Sequence, residues 1–340
     1  MKGLYRSPPV DDRLIWDAWL SSHNLPAMLA ADEISLFDAL DAQPLTVQEA
    51  AKACNVNPRA LGIIAGLLCA LGFLNKREGR LGLTVTSRNY MVKSSNFYWG
   101  ALLGFWKANQ HAYNQLMEVL KPEAAHKGGA HAEGWAAGKI GVEEARGIAA
   151  FMHAHSCAPA MGVARTDAFK GVNKLLDVGA GSGVFAIAAA QAWPELRATV
   201  MDLDTMCEAA SKYIEDGEVA DRVDTAARDM FREAWPTGYD ALFFSNIFHD
   251  WNDETCVELA KKAFAVLPSG GRIFLHEQLM NDNLDGPTVT AAFSMLMLVG
   301  TQGRQYSLPE FGTILGQAGF VDIEATATCG YYSLVSARKP

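Results

Sequence analysis

Two kinds of hydrophobic pattern divide the chain. In residues 14–40, and again in residues 58–71, apolar residues recur at helical spacing, whereas after Lys174 short apolar runs alternate with amphipathic stretches. The first pattern predicts helices, and the second predicts β-strands that alternate with helices. We therefore expect a helical N-terminal region followed by an α/β domain, in which helices cover both faces of a mainly parallel sheet.

The apolar runs of the α/β region place most of its elements. Strands are predicted near 175–176, 198–201, 223–227, 240–245, 272–277, 321–327 and 331–337, and helices near 205–215, 253–267, 286–299 and 308–318. Only Thr328, Cys329 and Gly330 separate the last two strands, so these strands must form an antiparallel hairpin. The predicted fold is a Rossmann-like domain that ends in this hairpin.

The N-terminal region carries the signals of a winged helix-turn-helix. Thr46 and Glu49 form a capping box at the start of one helix, and a second helix follows from about Pro58, a favoured first-turn residue, to Leu71. Residues 73–84 read as two short strands around a charged turn. Helix, helix and hairpin in this order predict a winged-helix domain over residues 1–100.

Many winged helices bind DNA, but the charges of this one do not suit that partner. Residues 1–100 contain ten Lys or Arg and nine Asp or Glu, and the would-be recognition helix has one arginine, Arg59, among aliphatic residues. Such a helix cannot read base edges or phosphates. Its aliphatic surface and the amphipathic stretch 14–40 favour burial against another protein. We expect a homodimer held by the N-terminal domain and no nucleic acid partner; a DNA-binding regulator is the less favoured alternative.

A helical segment rich in aromatic residues connects the two regions. It runs from about residue 97 to 165, with a loop at 127–129. We assign residues 101–165 to a helical linker that contributes to the substrate pocket, and residues 166–340 to the catalytic domain. A plain packing helix is the alternative, although His153 and His155 beside Met152 are unusual for a pure core.

The composition is typical of a soluble protein with two domains. The 340 residues are 50% hydrophobic and 20% charged, with a net charge of −9, so we expect no general affinity for nucleic acid or anionic membranes. Six cysteines without a C-x-x-C pair suggest neither zinc nor disulfides. The N-terminus lacks the apolar region of an export signal, and the longest apolar run, residues 63–74, is too short to span a bilayer. We expect a cytoplasmic protein with reduced thiols.

A glycine-rich turn marks the nucleotide-binding half of the α/β domain. A strand ends at Asp177, the sequence Gly-Ala-Gly-Ser-Gly begins at Gly179 and includes Gly181, and a second strand ends at Asp202. Asp202 lies where a carboxylate can accept both ribose hydroxyls. Asp177 would repel the pyrophosphate of a dinucleotide but suits a cationic group. The expected cofactor is S-adenosylmethionine, whose α-amino group is cationic.

Further chemical groups follow the next two predicted strands. His249 comes after the strand that ends at Ser245, where an open α/β sheet places functional groups, and its imidazole can accept a proton near neutral pH. Glu277 ends the next strand, which should lie beside the first and so bring a carboxylate to the imidazole. The turn from Arg228 to Phe231 has polar and apolar groups that could hold an adenine ring. A histidine that merely caps the next helix is the alternative.

These motifs in this order resemble the small-molecule O-methyltransferases of the caffeic acid and acetylserotonin type, including bacterial enzymes that tailor natural products. The motifs are Asp177 to Gly183, Asp202, Asp229 to Phe231, His249 to Trp251 and Glu277, behind a winged helix. The resemblance covers essentially the whole chain. It implies that His249 is the general base, that Glu277 orients it and that Met152 lies near the transferred methyl group. The expected cofactor contacts are Asp177, Gly179, Gly181, Asp202, Asp229, Met230, Phe231, Ser245 and Trp251.

The sequence departs from this family at one position near the base. Family members usually have a Lys/Arg-Glu-Arg-Thr run whose Glu is a second brace for the histidine, whereas this chain has Gln305 in the run that starts at Arg304. Gln305 cannot supply a charge, so His249 should be less basic than usual. O-methylation is the expected reaction, with carbon or nitrogen methylation and a non-catalytic relative as the alternatives.

The acceptor pocket is assigned to apolar and aromatic residues around the base. The helix from Pro287 to Val299 is a predicted wall for a flat apolar acceptor, although a plain core helix is an equal alternative. The expected acceptor contacts are Met152, His153, Phe248, Phe293 and Met297. His153, His155, His249 and Asp250 are metal-ligand types, but their spacing fits no metal site, and we expect no metal.

Overall fold

The computed structural model describes residues 21–56, 58–108, 140–282 and 287–340, together with Ala18. The chain divides into two compact units, the first ending at Ala108 and the second beginning at Asn109. The predicted loop at 127–129 and the first part of the predicted 14–40 helices lie outside the described residues. Among the described helices, none is long and apolar enough to cross a membrane.

The first unit combines short helices with a small antiparallel sheet. Its helices are α1 (Asn24–Glu33), α2 (Leu36–Ala42), α3 (Val47–Ala53), α4 (Pro58–Ala70), α5 (Val85–Tyr90) and α6 (Gly100–Ala108). Its strands are β1 (Leu45–Thr46), β2 (Leu74–Arg77) and β3 (Arg80–Leu83), in the order β1-β3-β2. The capping box is confirmed, because Thr46 N donates to Glu49 Oε2 at 2.8 Å and Thr46 Oγ1 accepts from Glu49 N at 3.2 Å.

Helix α4 buries one face inside its own unit. Leu61, Ala65 and Leu68 lie on that face and are at most 1% exposed. They pack with residues such as Leu36 and Phe37 of α2 in a single apolar cluster. Part of the aliphatic surface that we expected to meet a partner therefore stabilises this unit itself.

The second unit is built on a seven-stranded sheet. Its strands are β4 (Lys174–Val178), β5 (Arg197–Asp202), β6 (Val223–Ala227), β7 (Ala241–Ser245), β8 (Arg272–Gln278), β9 (Val321–Ala327) and β10 (Tyr332–Arg338), in the order β6-β5-β4-β7-β8-β10-β9. Pairing is parallel from β6 to β8, whereas β10 runs antiparallel to both β8 and β9. The predicted hairpin and the predicted pairing of β7 with β8 are both confirmed.

Helices cover the sheet and deliver the chain to its carboxyl edge. They are α7 (Val142–Ala164), α8 (Val184–Ala192), α9 (Asp204–Asp216), α10 (Asp253–Val266), α11 (Thr288–Gly300) and α12 (Leu308–Ala318), with short 3-10 helices at Asp167–Phe169 and Phe248–Asp250. Helix α7 packs against α8 and α9. All five residues of β7 are buried, as expected for a central parallel strand covered on both faces.

Candidate active site

An open cavity lies at the carboxyl edge of the sheet, where the strand order changes direction. The chain leaves β4 toward β5 and β6 on one side and returns to β7 on the other, so the ends of β4 and β7 flank the crevice in which such sheets bind ligands. The cavity has an empty volume of about 660 Å³. The predicted site residues that line it are Met152, Gly179, Gly181, Asp202, Asp229, Met230 and Phe231.

The glycine-rich turn contributes the backbone of Gly179 and Gly181 to the wall of the larger cavity. Gly179 and Gly181 have φ values of 67° and 57°, in the region that favours glycine. A Cβ on Gly179 would overlap the side chain of Ile247. Asp202 fastens the turn, because its Oδ2 accepts from Gly181 N at 2.9 Å and its Oδ1 accepts from Leu203 N at 2.7 Å. The turn therefore leaves backbone, and no Cβ, at one wall of the cavity.

Asp177 lies beneath this turn in a second, smaller cavity with an empty volume of about 300 Å³. Met152, Ser182 and Ser245 also line this cavity. Asp177 Oδ2 accepts from Ala186 N at 3.2 Å. Burial, and to a lesser extent the nearby Asp202, raise the pKa of Asp177 to about 7. A buried carboxylate of this kind gains from a cationic partner, so the two adjoining cavities fit a ligand with a nucleoside and a cationic amino end.

The turn after β6 forms the opposite wall of the larger cavity. Asp229 Oδ1 accepts from Phe231 N at 2.8 Å and from Arg232 N at 3.1 Å. Burial works against ionisation of Asp229, but the hydrogen bonds and charge of Arg232 outweigh it and lower the pKa. Trp251 packs edge-on against Phe231, with ring centroids 4.7 Å apart, so it supports the cavity wall from behind instead of lining the cavity.

His249 lies on the 3-10 turn after β7, and Glu277 at the end of β8 holds that turn. Glu277 is fully buried, and its Oε1 accepts from both Ile247 N and Phe248 N at 3.1 Å. Its Oε2 lies 3.2 Å from His249 Nδ1. The other ring nitrogen, Nε2, lies 3.6 Å from Oδ1 of Asp250, a residue that lines the cavity. The ring thus directs Nδ1 toward Glu277 and Nε2 toward Asp250, while His249 itself is buried and lines neither cavity.

Two side chains compete for His249 Nδ1. A proton on Nδ1 would face Glu277 Oε2, whereas a lone pair on Nδ1 would accept from Gln305 Nε2, 2.8 Å away. These partners favour opposite tautomers. Within the described part of the chain, Glu277 Oε2 and Gln305 Oε1 have no hydrogen-bond partner. A half-turn of the Gln305 amide would present its oxygen to the ring, and both partners would then favour the tautomer protonated at Nδ1.

Burial is the largest cause of the pKa shifts of the groups around the base. Burial lowers the pKa of His249, and the nearby imidazole of His155 adds to this shift, while the hydrogen bond with Gln305 opposes it. Burial, with a contribution from Asp250, raises the pKa of Glu277, and the backbone hydrogen bonds oppose that shift. Burial also raises the pKa of Asp250. His249 is therefore neutral near pH 7, with its lone pair available, and its protonated form depends on a nearby anion.

Some of the residues predicted to contact the acceptor lie beside the His249 ring or on the same helix, whereas others lie in the core. Phe293 packs edge-on against the His249 ring, with centroids 5.2 Å apart, and Met297, one helical turn further along α11, is buried. Phe248 is fully buried and packs against Phe244 and Phe311, so its ring belongs to the core instead of a pocket.

His153 also lies away from the cavities. Its Nδ1 is 3.2 Å from Ser182 Oγ, its Nε2 is 3.1 Å from Cys157 Sγ, and its ring stacks on Tyr213 at 4.3 Å. Burial lowers the pKa of the neighbouring His155 to about 4, so this imidazole is neutral near pH 7.

Some site residues were not assigned a contact from the sequence. Asn246, Ile247 and Asp250 line the larger cavity, as does Arg228 of the predicted adenine turn. The available signal for Asn246, Ile247 and Asp250 was their position, because they directly follow the end of a central strand. No group of three or more His, Cys, Asp or Glu side chains that could hold a metal occurs among the described residues.

A family model and several known proteins resemble this chain. The model of the O-methyltransferase domain matches residues 119–321. The 3-hydroxy-5-methyl-1-naphthoate 3-O-methyltransferase of Streptomyces sahachiroi is 30% identical over 300 residues, which cover 87% of this chain and 86% of the relative. The L-tyrosine C(3)-methyltransferase of Streptomyces lavendulae is 35% identical over 152 residues, covering 44% of this chain and 42% of the relative.

A solved structure shows the same fold over nearly the whole length. Human N-acetylserotonin methyltransferase, crystallised in complex with SAM, superposes with a TM-score of 0.79. The match covers 98% of this chain and 99% of that chain at 20% sequence identity. At this identity the likeness concerns the fold alone, which agrees with the Rossmann-like sheet and C-terminal hairpin predicted from the sequence.

The close approach at Gly179 leads to a first prediction. Gly179→Ala should weaken binding of S-adenosylmethionine, because the new methyl group occupies the place of the Ile247 side-chain end and forces this cavity-lining side chain to repack at the cofactor site. Overpacking of this kind costs about 1–3 kcal/mol, or about 5- to 150-fold in affinity. Isothermal titration calorimetry gives the dissociation constant.

Gly171→Ala is the matched control for this substitution. Gly171 also has a positive φ, 76°, but a Cβ there meets nothing within 4 Å, so it carries only the backbone strain of about 1–2 kcal/mol. Equal affinities in the two variants would contradict the assignment of Gly179 to the cofactor pocket, as would tight binding of NAD in place of S-adenosylmethionine.

Proposed function

The chain belongs to the O-methyltransferase family whose domain model matches residues 119–321, and on this premise we propose that it methylates a hydroxyl group of a small aromatic or polyketide-like acceptor, with His249 as the general base. S-adenosylmethionine is the cofactor of this reaction. The observation that carries the proposal is the buried His249–Glu277 pair beside the glycine-lined cavity.

The cofactor site follows from the two adjoining cavities. The Asp202 carboxylate lies at the larger cavity, where it can accept hydrogen bonds from the ribose hydroxyls. The turn of Asp229, Met230 and Phe231 offers the wall for the adenine ring. Asp177, with Ser245 nearby, faces the smaller cavity and suits the cationic amino group. When bound there, S-adenosylmethionine supplies an electrophilic sulfonium methyl group.

The chain's own residues supply positioning, deprotonation and exclusion of water. His249 Nε2 accepts the proton of the acceptor hydroxyl as the oxygen becomes a nucleophile. Glu277 Oε2 faces Nδ1 at 3.2 Å, so its negative charge stabilises the imidazolium that forms. Gln305 contributes a hydrogen bond without a charge, and it stabilises imidazolium less than a carboxylate would.

The acceptor class rests on the apolar face of α11 and on a relative. Phe293 packs against the His249 ring, which places a flat apolar surface beside the base. The relative from Streptomyces sahachiroi is named for the 3-O-methylation of a hydroxynaphthoate. Carbon methylation is the second candidate, because another relative is named as a tyrosine C(3)-methyltransferase. The position of the new methyl group, determined by NMR of the product, separates the two.

The assigned base leads to a second prediction. His249→Ala should lower the turnover number about 10²- to 10⁴-fold, the usual loss when a positioned general base is removed. The dissociation constant of S-adenosylmethionine should stay nearly unchanged, because the His249 side chain does not line the cofactor cavity. Transfer of a labelled methyl group to a panel of phenols measures turnover. Normal turnover in His249→Ala would favour carbon or nitrogen methylation instead.

Gln305 leads to a prediction about pH. Gln305→Glu places a second carboxylate within reach of His249 Nδ1, so the imidazolium is stabilised and the pKa of His249 rises. Because His249 must be unprotonated to act as a base, the acidic limb of the pH–rate profile should move to higher pH. An acidic limb that stays in place, or moves to lower pH, would contradict the placement of Gln305 at the base.

We also propose that the protein is a homodimer held by its N-terminal domain, residues 1–100, with residues 101–165 as a linker to the catalytic domain, residues 166–340. The support is the apolar character of the N-terminal helices, although α4 buries Leu61 and Leu68 within its own unit. Light scattering at micromolar concentration should give twice the chain mass of 36.8 kDa. A clean monomer would contradict this assembly.

We also propose a cytoplasmic location, because the six cysteines are free, as is usual for proteins in a reducing compartment.

A further inference from the structure

The segment after α11 crosses directly over the catalytic turn. Gln302 N donates to the backbone oxygen of Asp250 at 3.0 Å. The Tyr306 hydroxyl donates to the backbone oxygen of Trp251 at 2.7 Å. Gln305 reaches the His249 ring between these two contacts. Residues 301–306, which we call the strap, therefore touch the turn at its backbone as well as at its catalytic side chain.

Gly303 is the point of closest approach between the strap and the turn. A Cβ on Gly303 would overlap the backbone carbonyl of His249 and lie 2.6 Å from Trp251 N. Both of these neighbours are backbone atoms, which cannot move aside as the end of a flexible side chain can. Only glycine allows the two backbones to meet here without displacing the turn.

Both ends of the strap are anchored to the surrounding structure. At its start, the Thr301 hydroxyl donates to the backbone oxygen of Met297 at 2.9 Å. Near its end, Gln305 N donates to Ser294 Oγ at 3.0 Å, and the backbone oxygen of Tyr306 accepts from Met280 N at 2.9 Å. The strap thus connects two elements to the turn that carries His249. One is α11, which contains Phe293, and the other is the segment that follows β8, the strand that contains Glu277.

We propose that the strap fixes the position of the catalytic base, and that Gly303 and Tyr306 are positioning residues that act on His249 through the backbone of its turn. This inference rests on the proposed function, in which His249 takes the proton of the acceptor. Neither residue lines the cofactor cavity. Loss of the Tyr306 contact with Trp251 should therefore influence the chemical step and leave cofactor binding unchanged.

Three substitutions test this role. Tyr306→Phe removes only the hydroxyl that holds Trp251, and we expect turnover to fall about 10-fold, since the Trp251 carbonyl keeps only the weaker contact with the Cys256 thiol at 3.6 Å. Gly303→Ala displaces the turn, and a displacement near 1 Å can cost about 100-fold in turnover. The control is Gly312→Ala in α12, where a Cβ meets nothing within 4 Å. It should behave like the unmodified protein.

Two readouts separate positioning from a general structural role. In Tyr306→Phe, the Michaelis constant of the acceptor and the dissociation constant of S-adenosylmethionine should change less than about 2-fold while turnover falls, because the lost contact is at Trp251, which does not line the cofactor cavity. Hydrogen exchange of the peptide that contains His249 and Trp251 should become faster in Tyr306→Phe and Gly303→Ala but not in Gly312→Ala. This second readout needs no acceptor, so it tests the strap even if the proposed function fails.

The outcomes are distinct for the two proposals. Absence of methyl transfer by the unmodified protein would overturn the proposed function, whereas faster exchange in the two strap variants would still support the strap. Unchanged turnover and unchanged exchange in Tyr306→Phe would overturn the strap, even if Gly303→Ala failed to fold. A parallel loss of cofactor affinity in Tyr306→Phe would also overturn it, because the strap would then support the whole pocket instead of the base.

Discussion

The arrangement around His249 depends on the buried carboxylate of Glu277. One of its oxygens accepts two backbone N–H groups, from Ile247 and Phe248, while the other faces the imidazole. A single side chain thus satisfies the donors at the start of the catalytic turn and, in its ionised form, places a negative charge beside the ring. Removing it would leave two buried backbone N–H groups without partners, each at a cost of about 1–3 kcal/mol. The β7–β8 pairing makes this possible, because it brings the ends of the two strands together.

The carboxyl groups around the site all have pKa values that burial shifts in the same direction. Burial raises the pKa of Asp177, Asp202, Asp250 and Glu277, so the site favours neutral acids until a positive charge arrives. A sulfonium and an ammonium group are such charges. A cationic cofactor therefore suits the site better than an anionic dinucleotide, and its binding should favour the ionised forms of these acids. Ionised Glu277 is the form that stabilises imidazolium.

Much of the site could be predicted because it follows from strand ends. The apolar runs placed β7 and β8, and the chain order made them neighbours, so His249 and Glu277 could be paired from the sequence. The glycines and Asp202 were placed by the same reasoning. The side-chain directions within short or helical elements could not be obtained in this way. On α7, Met152 reaches the cavity, and the next residue points about 100° away around the helix axis, which is why His153 packs on Tyr213 instead.

Three other features depend on distances that no sequence pattern contains. The 3-10 turn sends Phe248 into the core and places the His249 ring between Glu277 and Asp250, although the two residues are adjacent. Gly303 looks like an ordinary loop glycine in the sequence, and only the folded chain shows that it lies against the backbone of His249. The departure at Gln305 was visible in the sequence, but its contact with Nδ1 depends on the path of residues 301–306.

The tautomer of His249 tests the central claim most directly. If Glu277 holds the ring so that Nε2 can accept the proton of the acceptor, the neutral imidazole must carry its hydrogen on Nδ1. Nitrogen-15 NMR of histidine-labelled protein, with the His249 signals assigned by their loss in His249→Ala, distinguishes a protonated ring nitrogen from an unprotonated one. The account predicts a protonated Nδ1 and an unprotonated Nε2 near neutral pH. A hydrogen on Nε2, with Nδ1 accepting from Gln305, would contradict the assignment of His249 as the base.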